Sequence, residues 1–92
     1  MNHFIFRNQA QAELVSLAPM IQDRVMLKLR SLKAHPKLFD VVKKIHGLEP
    51  ATHRLRVGNY RLLLKFEQNT SEEKIIRILK VAHRREVYRT KP

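Results

Sequence analysis

Two residues, Gly58 and Asn59, separate two stretches of extended character, His53-Arg54-Leu55-Arg56-Val57 before them and Tyr60 to Glu67 after. A two-residue loop opening on glycine joins antiparallel strands through a tight turn, because glycine accepts the positive φ that such turns require. The turn also fixes the register: Val57 stands opposite Tyr60, Arg56 opposite Arg61 and Leu55 opposite Leu62. Successive side chains of a strand point to opposite faces. Arg54, Arg56 and Arg61 therefore share one face, and Leu55, Val57, Tyr60, Leu62 and Leu64 share the other. The apolar set is the core face and the arginines look outward. Like charges placed directly opposite cost from a few tenths to about 1 kcal/mol. The arrangement makes sense where a phosphate bridges the guanidinium groups, whose planar forks bind its oxygens in pairs and stay charged at any relevant pH. The alternative is a solvated sheet face whose arginines spread apart or pair with Glu67, Glu72 or Glu73.

The rest of the chain can be read around this hairpin. His3-Phe4-Ile5-Phe6-Arg7 is short, aromatic and β-branched, an opening strand. Asn8 is an N-cap candidate for a helix over Gln9 to Leu17. Pro19 suits the first turn of a second helix, where Ile21, Val25, Leu29 and Leu32 recur on one side with Asp23, Arg24, Lys28, Arg30 and Ser31 between them. Pro36 ends this helix near His35. Leu38, Val41, Val42 and Ile45 suggest a further short helix ending at Gly47. Lys74 to Ala82 is apolar enough for a central strand buried on both faces, and His83 to Arg89 is a short basic segment of one or two helical turns. Strands segregated from helices predict an α+β fold over residues 1–92 as one domain: an N-terminal strand and a helical hairpin packed on a largely antiparallel four-stranded sheet, with a short C-terminal helix.

Charge narrows the function. Lysine and arginine outnumber aspartate and glutamate by 19 to 8, a net +11 on 92 residues. Such an excess repels itself in the folded state and points to a polyanionic partner, nucleic acid or an acidic protein. The absence of cysteine removes disulfides, thiolate catalysis and cysteine zinc sites together. No apolar run approaches the length of a membrane span, and Met1-Asn2-His3-Phe4 lacks a signal-peptide pattern, so a cytoplasmic protein without a membrane partner is expected. The glutamates form no persuasive metal-ligand set and the five histidines lack familiar spacing, so no metal or other cofactor is expected.

The closing segment His83-Arg84-Arg85-Glu86-Val87-Tyr88-Arg89 joins proton-transfer groups and a stacking surface to further cations. Together with Arg54-Leu55-Arg56-Val57-Gly58-Asn59-Tyr60-Arg61-Leu62 and the preceding Ile45-His46-Gly47-Leu48, it resembles the RelE/ParE superfamily of toxins from type II toxin–antitoxin pairs. The likeness covers nearly the whole chain and is nearest to the RelE-like messenger-RNA interferases.

That resemblance implies an endoribonuclease that cleaves messenger RNA on the ribosome without a metal, by attack of a ribose 2′-hydroxyl on the adjacent phosphate. It assigns Arg61 to grip the scissile phosphate and Arg84 to stabilise the transition state or help protonate the leaving oxygen. Tyr88 would stack on a base or assist proton transfer, and His83, with an unperturbed pKa of about 6.5, would be an acid or base. Arg54 completes the catalytic set, while Arg56, Arg85 and Lys80 are expected RNA contacts. One departure stands out: RelE-type members can carry a basic residue two places before Arg54, where this chain has Thr52. His53 is directed by alternation to the other face. The alternatives are a ParE-like inhibitor of DNA gyrase and a non-catalytic RNA- or antitoxin-binding member of the same fold. In every case an acidic antitoxin is the implied protein partner.

Overall fold

The chain's structure, a computed structural model, describes residues 1–89, so the last three residues of the expected domain lie outside the described residues. The hairpin forms as its turn dictates. Strands β3 (His53–Val57) and β4 (Tyr60–Asn69) pair antiparallel with Val57 opposite Tyr60, Arg56 opposite Arg61 and Leu55 opposite Leu62. Gly58 has φ +57°, whereas no non-glycine residue among the described residues has positive φ, which gives the φ signs of a type II′ turn. Strand β5 (Lys74–His83) continues the antiparallel meander beside β4, and β1 (Asn2–Phe6) adds parallel to β5 at the far edge.

Between β1 and the hairpin lie α1 (Asn8–Val15) and α2 (Pro19–Leu32). Proline at the first position of α2 costs no hydrogen bond, since that N–H has no partner within a helix anyway. The residue that precedes and caps α1 is Arg7, not the expected Asn8, which already lies inside the helix. Val25, Leu29 and Leu32 of α2 bury the expected stripe against Leu55, Leu62, Leu64, Ile76, Ile78 and Val81 of the sheet. Each such wholly buried aliphatic side chain contributes about 1.5–3 kcal/mol through removal of apolar surface from water. Asn2 is buried beside this core, and its side-chain amide donates to the carbonyls of Leu32 and His35 at 2.8 and 2.9 Å. It thereby satisfies the end of α2 and ties β1 to it.

Three expectations need correction. The sheet has five strands rather than four, in the order β1-β5-β4-β3-β2. The extra strand, β2 (Lys43–Lys44), comes from the stretch expected to be helical and pairs with Arg54 and His53. Leu38–Asp40 makes only a 3-10 turn, from which Leu38 buries into the core while Val41 and Val42 pack beside it. The apolar spacing there serves a folded-over loop, not a helix face. Finally, the closing segment is a series of turns with a single five-residue closure, Val87 N–H to the carbonyl of His83 at 3.0 Å, in place of a C-terminal helix.

A second, smaller core lies on the face of the sheet away from the helices: Ala51, Leu63, Leu79 and Val87, flanked by Ile45, Leu48 and Ala82. Beside it β5 carries an irregularity opposite Leu63 and Leu64, whose partners are Lys80 and Ile78. The skipped residue, Leu79, enters the second core. Backbone groups around the bulge find side-chain partners instead: Arg7 donates to the carbonyl of Leu79 at 2.9 Å, and Glu13 accepts from the N–H of Val81 at 2.9 Å. The central strand is thus buried on both faces, as its composition predicts.

Candidate nucleic-acid interface

The register of β3 and β4 places Arg54, Arg56 and Arg61 on the face that the helices leave open. Arg56 is exposed, Arg54 and Arg61 partly so. The Arg61 guanidinium donates through Nη1 to the carbonyls of Gly58 and Tyr60, both at 2.9 Å, which holds it at the turn. Its pKa is lowered from the ordinary arginine value by desolvation first, then by Arg56 and Arg54. The Tyr88 phenol opposes the shift, and Arg84 adds to it. These four side chains act on Arg61 from two separate parts of the chain. Repulsion of this kind is uncompensated: the ion pairs among the described residues are His3–Glu73, Arg77–Glu67 and Arg89–Glu86, and none involves Arg54, Arg56, Arg61, Arg84 or Arg85. The pairing of these arginines with Glu67, Glu72 or Glu73 does not form among the described residues.

Two contacts bring the closing segment to this face. The Arg84 N–H donates to the carbonyl of Asn59, in the hairpin turn, at 2.8 Å. Four residues after His83, Val87 is completely buried against Ala51, Leu63 and Leu79. Between these anchors the backbone turns, leaving Arg84 and Arg85 exposed and Tyr88 48% exposed. Val87 is the one functional support that sequence reasoning passed over. Its signal was its chemistry: it is the sole aliphatic residue in a run of cations and polar groups.

Two expected members do not join. His83 pairs across the ladder with Tyr60, edge-on to its ring at 5.4 Å, while Ala82 stands beside Arg61. Alternation therefore turns the imidazole to the opposite face, where its Nδ1 accepts from the Arg85 N–H at 3.2 Å. Lys80 pairs with Leu63 on the outer side but is buried, so its ammonium is not offered to an RNA backbone. His53 behaves as alternation requires, packing between Phe39 and Phe66 at 5.4 and 4.8 Å. Burial, and secondarily Lys44, lowers its pKa below 6.5. Among the described residues no group of three or more histidine, aspartate or glutamate side chains is placed to hold a metal ion, and no helix is long and apolar enough to cross a membrane.

Two helices packed on one face of a five-stranded, mostly antiparallel sheet are the architecture of the RelE-like toxins. Residues 4–88 match the sequence profile of the ParE toxin of the type II toxin–antitoxin system parDE, and the chain belongs to this family. It is a toxin of a type II toxin–antitoxin system.

Solved structures agree. A chain of the RelBE toxin–antitoxin complex from Mycobacterium tuberculosis is similar at 27% identity with a TM-score of 0.69, covering 88% of this chain and 95% of that one. The RelE–RelB complex of Pyrococcus horikoshii gives 26% identity, a TM-score of 0.65 and coverage of 97% and 98%. The RelB–RelE complex of Methanococcus jannaschii gives 26%, 0.68, and coverage of 96% and 99%. No curated protein sequence matches the chain.

Proposed function

We propose that this toxin is a metal-free endoribonuclease that cleaves messenger RNA on the ribosome. The observation that carries the reading is the gathering of Arg54, Arg56, Arg84 and Tyr88 around Arg61, with no ion pair to any of these arginines among the described residues. Cleavage by the neighbouring 2′-hydroxyl forms an O2′–P bond and breaks the P–O5′ bond, leaving a 2′,3′-cyclic phosphate. Negative charge grows on the phosphoryl oxygens and then on O5′, and preorganised cations lower the barrier by meeting it. Arg61, held at the turn, takes the non-bridging oxygens, with Arg54 and Arg56 beside it. Arg84 faces the leaving oxygen. Tyr88 stacks on a base or passes a proton, a role that falls to it more heavily because His83 points away. Arg85 is an outer phosphate contact.

The likeness to chains of RelB–RelE complexes and the net +11 support an acidic antitoxin as protein partner, covering the arginine face or displacing the segment around Tyr88. A cytoplasmic location follows from a ribosomal target. The family match itself favours a second reading, inhibition of DNA gyrase by binding.

One experiment divides them: the purified protein is given translating ribosomes in one reaction and gyrase with plasmid in another. We expect cleaved mRNA ending in a cyclic phosphate and unimpaired supercoiling. We also expect Arg61→Ala to lower the cleavage rate about 10²–10³-fold, the cost of removing one transition-state donor, and Tyr88→Phe to slow it with folding retained. Blocked supercoiling without cleavage would replace this reading with the gyrase one.

A further inference from the structure

The strand β2 covers β3 only at His53 and Arg54, so Leu55 to Val57 has no strand on its outer side. There α2 passes the hairpin, and the two enclose an open cleft of about 410 Å³. Arg24 and Lys28 of α2 and Arg56 of β3 line it, with exposed Leu27 between the two helical cations. No acidic side chain is among the lining residues, and none of the ion pairs among the described residues involves these three. Arg24 and Lys28 stand four apart on one helix face, a spacing at which like charges repel. The turn glycine accommodates Arg24: a Cβ on Gly58 would come within 3.3 Å of its guanidinium. Arg56 belongs both to this cleft and to the arginine face, so the two cationic surfaces are continuous.

We infer that Arg24, Lys28 and Arg56 form a second phosphate subsite, in which the cleft holds a flanking phosphate of the same single-stranded RNA whose scissile phosphate lies at Arg61. The inference rests on the RNA reading above and extends it by naming where the strand leaves the reaction centre. A phosphate there sets its negative charge among three cations at once. The exposed leucine between them gives a sugar or base an apolar surface.

The probe is a fluorescent single-stranded RNA, 2′-O-methylated throughout so that it cannot be cut, titrated by anisotropy at several salt concentrations. Removing two phosphate contacts with Arg24→Gln plus Lys28→Gln should make the slope of log affinity against log salt shallower by about 1.4. The advantage of the unsubstituted protein should then shrink about sevenfold between 50 and 200 mM salt. The swap Arg24→Lys plus Lys28→Arg should keep the original slope. Circular dichroism should show the double glutamine variant folded and no less heat-resistant, since a like-charge pair has been relieved.

An unchanged slope with ribosomal cleavage intact would overturn the cleft and leave the nuclease reading standing. The expected slope change without any ribosomal cleavage would do the reverse. If the variant instead binds RNA normally but loses affinity for poly-glutamate, the cleft serves an acidic protein and the proposal fails.

Discussion

Replacing Val87 by alanine separates the assembly of the site from the stability of the fold. The side chain is fully buried in the second core, with Ala51, Leu63 and Leu79, and the buried residues of α2 belong to the other core. Removing two methyl groups forfeits about 1.6 kcal/mol of apolar transfer energy. A residual cavity brings the cost to about 2 kcal/mol, because the exposed turns on either side can partly collapse. Against that loss the closing segment keeps only a few backbone hydrogen bonds, among them Arg84 N–H to Asn59. A 2 kcal/mol change lowers the docking equilibrium about 30-fold.

The expected outcome is a steep fall in RNA cleavage with a nearly unaltered urea midpoint for the rest of the molecule. Trypsin reports the local event directly, since it cuts after Arg84, Arg85 and Arg89 once they leave the sheet. Nicking there should quicken by a similar factor while the hairpin arginines stay protected. Cleavage at the normal rate by a Val87→Ala protein whose tail is rapidly nicked would refute the reasoning, because Arg84 and Tyr88 would then be dispensable.

Arg56→Gln should raise stability by a few tenths of a kcal/mol in low-salt urea titrations by relieving the pair with Arg61, and the gain should vanish at 0.5 M salt, while RNA binding weakens. Gly58→Ala should cost about 1–2 kcal/mol in the same titration, because alanine is strained at φ +57° and its methyl group also crowds Arg24. His53 has its pKa depressed by burial and by Lys44, so the unfolded chain binds its proton more readily. Its contribution to stability is present above the ordinary value of 6.5 and declines as pH falls through the folded value. His53→Phe should flatten the dependence of the urea midpoint on pH in that interval.

The hairpin was legible from sequence because its information is local: a glycine at the required turn position and strict alternation settle both register and faces. The stripe of α2 was legible for the same reason, three residues of it buried as spaced. His83 was misplaced because its assignment followed a motif, although the alternation already applied to the hairpin, carried across to β5, opposes it to Tyr60. Lys80 failed differently. It is buried in the folded chain, which a lysine near the end of an apolar run does not announce. Strand β2 is two exposed lysines, with nothing in their composition to announce pairing. The convergence of Arg24 and Lys28 on Arg56 is likewise a product of where α2 crosses the sheet. As read along the helix, they were ordinary polar positions.

The parallel partner of Asn2–Phe6 is Lys74–His83. During synthesis, the first strand to be made has no neighbour to join until the last one has also been made. The strand that bridges β1 and β4 also leads directly into the segment carrying Arg84 and Tyr88. A nascent chain halted anywhere before β5 lacks the strand that joins β1 to the rest of its sheet and one side of its arginine cluster. For the proposed nuclease, this order of assembly means that the site is completed only with the last strand and the segment that follows it.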